Sequence, residues 1–236
     1  MTNLGAGADI DVNLERVRER IARAARRAGR APEDVRLVAV TKGVPVDRVR
    51  RAIELGVSDL GENRVQEGAA KRAALAGDVT AVSWHLIGHL QTNKAGRAAE
   101  TFDLIHSVDG LRVAEALSRR VSGSLPVLLQ VNVSGEASKF GVGPEEAGEL
   151  LRAVSRLPGL VVRGLMTMAP LVDDPEETRP IFRRLARLAR ELGGLRLPGV
   201  SLDLLSMGMT QDFEVAISEG ANLVRIGSAI FGPREG

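Results

Sequence analysis

Residues 35–56 read VRLVAVTKGVPVDRVRRAIELG and show the pattern from which the fold can be predicted. Its first seven residues form a short apolar run that is rich in valine and is soon followed by Gly43, a pattern typical of a buried β-strand. Residues 46–55 then carry apolar side chains at helical spacing and end at Gly56, where a helix C-cap is expected. The sequence therefore predicts a strand that leads directly into a helix.

The same unit recurs along the chain. We predict seven further strands at residues 57–61, 83–88, 104–107, 127–133, 161–166, 202–206 and 223–226, and six further helices at residues 64–75, 94–100, 111–121, 144–157, 175–192 and 213–220. Because each helix returns the chain to the same end of the sheet, we expect the eight strands to pair in parallel. The predicted fold class is α/β, a closed (β/α)8 TIM barrel. An open doubly wound sheet is the alternative, but residues 40–44, VTKGV, lack the glycine-rich loop of a dinucleotide site.

An additional helix is predicted before the barrel. Leu14, Val17 and Ile21 lie on one face of a helix, and Gly29 follows at the expected C-cap. Residues 1–11 do not combine a basic segment with an apolar one, so they predict a flexible lead-in rather than a signal peptide. We therefore expect a lead-in at residues 1–11 and a single barrel domain at residues 12–236.

The composition is that of a soluble globular protein, with 44% hydrophobic and 26% charged residues. No apolar run approaches the roughly 20 residues that span a bilayer, so we expect no membrane partner. The lack of a signal peptide predicts a cytoplasmic protein. A net charge of only +2, with acidic and basic residues interspersed, gives no indication of nucleic-acid binding. The absence of cysteine excludes disulfides and thiolate chemistry, and His85, His89 and His106 lack the spacing of a metal site.

Lys42 directly follows the first predicted strand, at the barrel face where the binding residues of such folds collect. It is one of only four lysines in a chain with 32 basic residues. Partial desolvation at an apolar barrel mouth lowers the pKa of a lysine amine, and a neutral amine forms a Schiff base with an aldehyde. A lysine that only extends its ammonium to solvent, or that binds a phosphate as a point charge, is the alternative.

Two segments at the ends of the seventh and eighth predicted strands combine small residues with hydroxyl groups. Their candidate site residues are Ser206, Met207, Gly208 and Met209 in SMGMT (206–210), and Arg225, Gly227 and Ser228 in RIGS (225–228). Each segment leads into a helix start, where backbone amides converge and favour an anion such as a phosphate. Glycines that serve only to form tight turns are the alternative.

Three residues suggest how a planar ring would be held. A guanidinium at Arg225 that faced a pyridine nitrogen could only donate, so the nitrogen would stay unprotonated and the ring would be a poor electron sink. Arg225 could instead pair with a carboxylate at the rim. Asn63 could contact a ring hydroxyl or cap the helix that follows, and Met166 could form an apolar wall or pack the top of the barrel.

Seven motifs occur in one order along nearly the whole chain. They are LVAVTK (37–42), GENRVQE (61–67), WHLIGHLQTNK (84–94), QVNVSGEASKFG (130–141), GLMTM (164–168), LSMGMTQDFEVAI (205–217) and VRIGSAIFG (224–232). Together they resemble the pyridoxal phosphate homeostasis proteins, also called the YggS or PROSC family.

That resemblance implies a barrel like the N-terminal domain of alanine racemase, with pyridoxal 5'-phosphate bound covalently to Lys42. It implies a phosphate held by Ser206, Gly227 and Ser228, and a ring nitrogen that faces Arg225. It also implies a protein that buffers the cofactor or delivers it to apoenzymes, without an established reaction of its own. Lys139 matches a second lysine that the family presents near the site.

The chain departs from the family pattern at two positions. Val44 stands where many members have a second lysine close to the first, and Arg64 stands where an aromatic residue is frequent. These departures bear on cofactor exchange through a neighbouring amine and on an aromatic wall, and leave the attachment at Lys42 unaffected.

Two hypotheses from different classes follow: a non-catalytic cofactor carrier, and an amino-acid racemase. A two-base racemase needs a second acid or base opposite the lysine, which the alanine racemases take from a tyrosine of a further C-terminal domain. This chain has no tyrosine and ends soon after its eighth predicted strand, so His85 or Lys139 would have to serve. A barrel without any cofactor is a third option, and the lack of a wide uncovered apolar helix face favours a monomer.

Overall fold

A computed structural model describes residues 5–77, 82–136 and 138–233, and within them eight parallel strands form a closed barrel. The strands are β1 (Arg36–Val40), β2 (Asp59–Glu62), β3 (Ser83–Leu86), β4 (Leu104–Val108), β5 (Leu125–Gln130), β6 (Leu160–Met166), β7 (Val200–Ser206) and β8 (Leu223–Ile226). Each strand pairs with the next along the chain, and β8 closes on β1 with Arg225 opposite Val38. The predicted (β/α)8 barrel is confirmed, and the open doubly wound sheet is wrong.

Helices follow the strands around the outside. They are α1 (Gly5–Arg27), α2 (Val46–Glu54), α3 (Val65–Ala74), α4 (Ala95–Thr101), α5 (Leu111–Ser118), α6 (Ala147–Val154), α7 (Arg179–Gly193), α8 (Phe213–Ser218) and α9 (Ser228–Phe231), with short 3-10 turns at Pro32–Asp34, Thr92–Lys94 and Pro175–Thr178. Most boundaries lie within three residues of the predicted ones. The four-residue α9 was not predicted, because so short a helix shows no periodicity.

The N-terminal helix begins earlier than the sequence indicated. Residues 5–11, expected in a flexible lead-in, belong to α1, so that expectation is wrong for them, and residues 1–4 lie outside the described residues. Ile10 is fully buried, and the Asp11 carboxylate binds Arg51 of α2 at 2.5 Å. Tertiary contacts with α2, α8 and α9 thus extend the helix beyond its own apolar repeat.

Alternation along each strand divides its side chains between two cores. One set fills the barrel interior, namely Val38, Leu104, Leu128, Met166 and Leu223. The intervening residues, such as Ala39, Leu60 and Ile105, pack against the surrounding helices. Because successive residues of a strand point to opposite faces, the alternation that puts Val38 inside continues through Val40 to Lys42. Lys42 therefore emerges on the interior side of the barrel mouth.

None of the helices within residues 5–77, 82–136 and 138–233 combines the length and the apolar composition that a bilayer span requires.

Candidate functional site

A cavity of about 330 Å³ opens where the C-terminal ends of β1, β7 and β8 meet. Half of the ten predicted site residues line it together, namely Lys42, Met209, Arg225, Gly227 and Ser228. Val40 and Val44 add an apolar wall, and residues 170–172 of the loop after β6 form part of the rim. The structure therefore gathers residues from both ends of the sequence into one pocket.

The other five predicted residues lie outside the cavity lining. Met166 and Met207 are fully buried in the two cores, so packing is their observed role. Asn63 does not cap α3, because Arg64 occupies the N-cap position. Ser206, expected at the phosphate, is fully buried and is hydrogen-bonded to Arg225, which lines the cavity. Gly208, which has no side chain, contributes its backbone to the β7–α8 loop, where its carbonyl accepts a hydrogen bond from the Arg225 amide.

Lys42 lies on a turn whose preceding residue, Thr41, is hydrogen-bonded to the buried ion pair of Glu62 and Lys71. The Thr41 hydroxyl donates to Glu62 Oε1 at 2.6 Å, and Lys71 donates to the Thr41 carbonyl. Lys71 Nζ also lies 2.8 Å from Glu62 Oε1. Both charged side chains are almost completely buried, so the residue before Lys42 is fixed at its side chain and its carbonyl.

The residue after Lys42 is fixed as well. The Gly43 amide donates to Glu67 Oε1 at 2.6 Å, and Glu67 lies 2.8 Å from Lys71. We call Glu62, Glu67 and Lys71 the α3 ion cluster. Burial raises the pKa of Glu62, and its bonds from Lys71 and Thr41 do not fully offset this. Burial also raises the pKa of Glu67, but its bonds from Lys71 and Gly43 outweigh the effect and leave the pKa lowered.

Arg225 places a buried positive charge at the cavity. Its Nη1 donates to Ser206 Oγ at 2.5 Å and its Nη2 to the Thr167 carbonyl at 2.8 Å. Burial lowers the pKa of Arg225 to about 10, while the nearby Asp212 opposes the shift. The guanidinium therefore stays protonated at neutral pH and acts as a fixed donor.

Hydroxyl groups from the β7–α8 loop and from the first residue of α9 line the same cavity as Arg225. Ser228 Oγ donates to Thr210 Oγ1 at 3.3 Å, and both residues line the cavity. A Cβ at Gly227 would lie 3.1 Å from the Val40 carbonyl, so the glycine lets β8 approach β1 at the mouth. Such a pair of hydroxyls next to a protonated guanidinium is suited to an anion.

Twelve of the seventeen residues that line the cavity were not among the predicted site residues, and Asp212 and Leu171 illustrate why. Asp212 is buried and accepts a hydrogen bond from the Met209 amide at 2.6 Å, which fixes the β7–α8 loop. Its position as the N-cap of α8 was the available signal. Leu171 lies at the rim and is 83% exposed. No sequence pattern indicated this position, because an isolated leucine in a loop is not part of a periodic pattern.

The two proposed substitutes for a second base do not line the cavity. His85 is fully buried inside the barrel. Lys139 Nζ lies 3.1 Å from Glu136 and 3.4 Å from the Met168 carbonyl, on the loop after β5.

Comparisons with known proteins agree with this arrangement. The model of the alanine racemase N-terminal domain family matches residues 12–235. The pyridoxal phosphate homeostasis protein of Pseudomonas aeruginosa is 46% identical over 226 residues, which cover 94% of this chain and 95% of its own. That of Escherichia coli K12 is 44% identical over 232 residues, which cover 96% and 97%. The chain belongs to the pyridoxal phosphate homeostasis protein family.

Solved structures extend the likeness to three dimensions. PipY of Synechococcus elongatus, a structure with pyridoxal phosphate bound, is 37% identical with a TM-score of 0.81, and the match covers 94% of this chain and 100% of PipY. A protein of unknown function from Bifidobacterium adolescentis gives 38% identity and a TM-score of 0.92, with 98% of each chain covered. Alanine racemase of Clostridium difficile, at 15% identity and a TM-score of 0.74, shares the barrel, which covers 97% of this chain and 58% of that one.

Proposed function

We propose that this protein binds pyridoxal 5'-phosphate in the cavity as a Schiff base on Lys42, and serves in vitamin B6 homeostasis as a carrier without turnover of its own. The observation that carries the proposal is the convergence of Lys42, Arg225, Gly227 and Ser228 on one cavity. The names of the relatives and the cofactor-bound state of PipY support the same ligand.

The residues present fit the chemical groups of this cofactor. Lys42 supplies an amine for the aldehyde, and its backbone is held on both sides by the α3 ion cluster. Ser228 and Thr210 supply hydroxyls for the phosphate, with Gly227 allowing close approach. Val40 and Val44 offer an apolar face to the ring. The bound cofactor would supply an electrophilic carbon, and the protein would orient it and shield it from water.

The environment favours holding the cofactor over catalysis. Arg225 can only donate to a ring nitrogen, which would keep that nitrogen unprotonated and the ring a weak electron sink. The sequence contains no tyrosine, and neither His85 nor Lys139 lines the cavity. We therefore propose that neither of these two groups serves as the second proton donor that a racemase needs. D-alanine or D-serine formed from the L-isomers faster than by free cofactor would support that alternative.

The cellular setting is part of the proposal. We place the protein in the cytoplasm as a monomer that meets apoenzymes transiently. Large exposed apolar residues among those described are Val12, Leu111, Phe140 and Leu171. Leu111 begins α5, the helix after β4, and Phe140 and Leu171 lie in the loops after β5 and β6. All three therefore lie at the end of the barrel where the cavity opens and where we expect a recipient enzyme to approach.

The absorbance spectrum with added pyridoxal phosphate, before and after borohydride, tests the attachment. We expect wild type to show a Schiff-base band that borohydride converts to a covalent adduct located on Lys42, because borohydride reduces the imine bond. Lys42→Ala should show neither band nor adduct. Lys94 is another of the four lysines and does not line the cavity, so Lys94→Ala should behave as wild type. A wild-type protein without the band would overturn the proposal.

A further inference from the structure

Five polar side chains form a continuous path through the barrel interior, and we call them the interior relay: Asp59, His85, His106, Ser206 and Arg225. Asp59 Oδ1 lies 3.0 Å from His85 Nε2, and His85 Nδ1 lies 2.9 Å from His106 Nε2. His106 Nδ1 lies 2.8 Å from Ser206 Oγ, which accepts from Arg225 Nη1 at 2.5 Å. The path runs from the first residue of β2 to the last residue of β7 and on to β8.

Every member of the interior relay is buried, and the two histidines and Ser206 are fully so. TIM barrel interiors are usually filled with branched apolar side chains, and buried polar groups cost free energy unless each is hydrogen-bonded. Asp59 is also contacted by Arg36 and by Ser58 Oγ at 2.7 Å. The relay therefore replaces part of an apolar core with a connected polar network.

One assignment of hydrogens satisfies the four contacts that link the relay residues. His85 Nε2 also lies 3.1 Å from Ser83 Oγ, which can share the same proton. Arg225 cannot accept, so it donates to Ser206, whose proton is then available for His106 Nδ1. His106 carries its proton on Nε2 and donates to His85 Nδ1, and His85 donates from Nε2 to the Asp59 carboxylate. Burial raises the pKa of Asp59, but bonds from His85 and Ser58 and the charge of Arg36 outweigh it and set the pKa at about 2. Asp59 is thus an acceptor at neutral pH.

Hydrogen bonds that run in the opposite direction, from His85 toward Ser206, leave one proton without an acceptor in the relay. A proton on both nitrogens of His85 would force His106 to donate from Nδ1 to Ser206 Oγ. Ser206 would then receive donors from both His106 and Arg225, and its own proton would have no acceptor within the relay. Burial first, and the positive charge of Arg225 in the same direction, hold the pKa of His106 well below its usual value, so His106 is neutral.

We propose that Asp59, His85, His106 and Ser206 are positioning residues for Arg225. The hydrogen bonds of the relay all run in one direction, from the Arg225 guanidinium to the Asp59 carboxylate. They thereby fix the orientation of the guanidinium at the cavity. Ser206 acts on the ligand through Arg225 rather than by direct contact with a phosphate. The part of this inference that concerns the ligand rests on the proposed function. The direction of the hydrogen bonds does not, because the relay consists only of the protein's own side chains.

Histidine tautomers in the cofactor-free protein provide the first test. The chain has three histidines, and His89 is the partly exposed one, so 15N-histidine labelling with a His89→Gln variant assigns the signals. At pH 7 we expect both His85 and His106 to carry a proton on Nε2 and none on Nδ1. A His106 protonated on Nδ1 would overturn the proposed direction of the relay.

Ser206→Ala tests whether the relay positions Arg225, and Ser107→Ala is its matched control. Both serines are fully buried, and within the described residues the Ser107 hydroxyl has no hydrogen-bond partner. We expect Ser206→Ala to shift the His106 Nδ1 signal and to raise the Kd for pyridoxal phosphate about tenfold, roughly 1.4 kcal/mol. Ser107→Ala should change neither.

An unchanged Kd in Ser206→Ala, or an equal loss in Ser107→Ala, would overturn the positioning role. If the wild-type protein did not bind pyridoxal phosphate at all, the proposed function would fail, whereas the histidine spectra would still decide the direction of the relay.

Discussion

Gly208 shows how a single residue shapes the cavity without facing it. Its φ is +91°, in the left-handed region that side chains rarely adopt, and it is buried. A Cβ there would lie 2.6 Å from the Ala216 Cβ and 2.9 Å from the Phe213 Cα. Its carbonyl also accepts from the Arg225 amide at 3.0 Å. Gly208 therefore joins the β7–α8 loop to the strand that carries Arg225.

Gly208→Ala should destabilise the protein more than Gly123→Ala. Gly123 has a similar φ of +98°, but a Cβ there meets nothing within 4 Å. The left-handed conformation costs a non-glycine residue about 1–2 kcal/mol, which both variants share. Overpacking against α8 should add about 1–3 kcal/mol in Gly208→Ala alone. Urea unfolding of both variants measures the difference, and equal losses would contradict the steric argument.

At the level of elements, α3 acts as the support of the turn that carries Lys42. The helix brings Glu67 and Lys71 against the ends of β1 and β2, where they bind the backbone on both sides of Lys42. A buried pair of this kind gives little net stability, but removing one partner leaves an uncompensated buried charge. The value of the α3 ion cluster thus lies in fixing the position of the turn.

Lys71→Met should lower the free energy of unfolding by about 3–5 kcal/mol, because the fully buried Glu62 loses its cation. The double variant Glu62→Gln/Lys71→Met should recover part of that loss, since it removes both charges. Arg119→Met, which breaks an exposed contact of 3.9 Å with Glu115, should cost no more than about 0.5 kcal/mol. Denaturant unfolding at pH 7 compares the three; a loss in Lys71→Met no larger than in Arg119→Met would contradict the buried-charge argument.

At the scale of the whole molecule, Asp59 links the first three strands at the end of the barrel opposite the cavity. It binds Arg36 of β1 and His85 of β3 from its place at the start of β2. The pKa of Asp59 falls to about 2 although burial alone would raise it. A carboxyl whose pKa is lowered on folding stabilises the protein above its unfolded pKa and loses that contribution as the pH falls toward the folded pKa.

Asp59→Asn should therefore be less stable than wild type by roughly 2 kcal/mol at pH 7, with the difference shrinking as the pH falls from about 4 to 2. Asp203 provides the control. Its pKa is also about 2, owing first to its hydrogen bond from Arg163, but its side chain is 46% exposed whereas that of Asp59 is buried. Solvent screening should reduce the effect of Asp203→Asn to less than about 1 kcal/mol. Unfolding curves between pH 7 and pH 2 measure both; a difference for Asp59→Asn that did not change with pH would contradict the linkage.

The strand and helix pattern was predictable because each element carries a local signal. Valine-rich runs such as residues 35–41, and the apolar spacing of residues 46–55, reflect burial on one side of a regular structure. Strand ends in a parallel barrel open on one face, so the positions of Lys42, Met209, Arg225, Gly227 and Ser228 at one mouth also followed from the order of elements.

Local patterns and motifs were enough to predict the barrel, its extra N-terminal helix, the family, and the lysine that we propose carries the cofactor. Three-dimensional contacts were needed to find that residues 5–11 are helical, that Ser206 is hydrogen-bonded to Arg225, and that His85 and His106 connect Ser206 to Asp59. The reason is physical: periodicity reports which face of an element is buried, whereas the partners of a buried polar group come from strands as far apart as 100 residues in the chain.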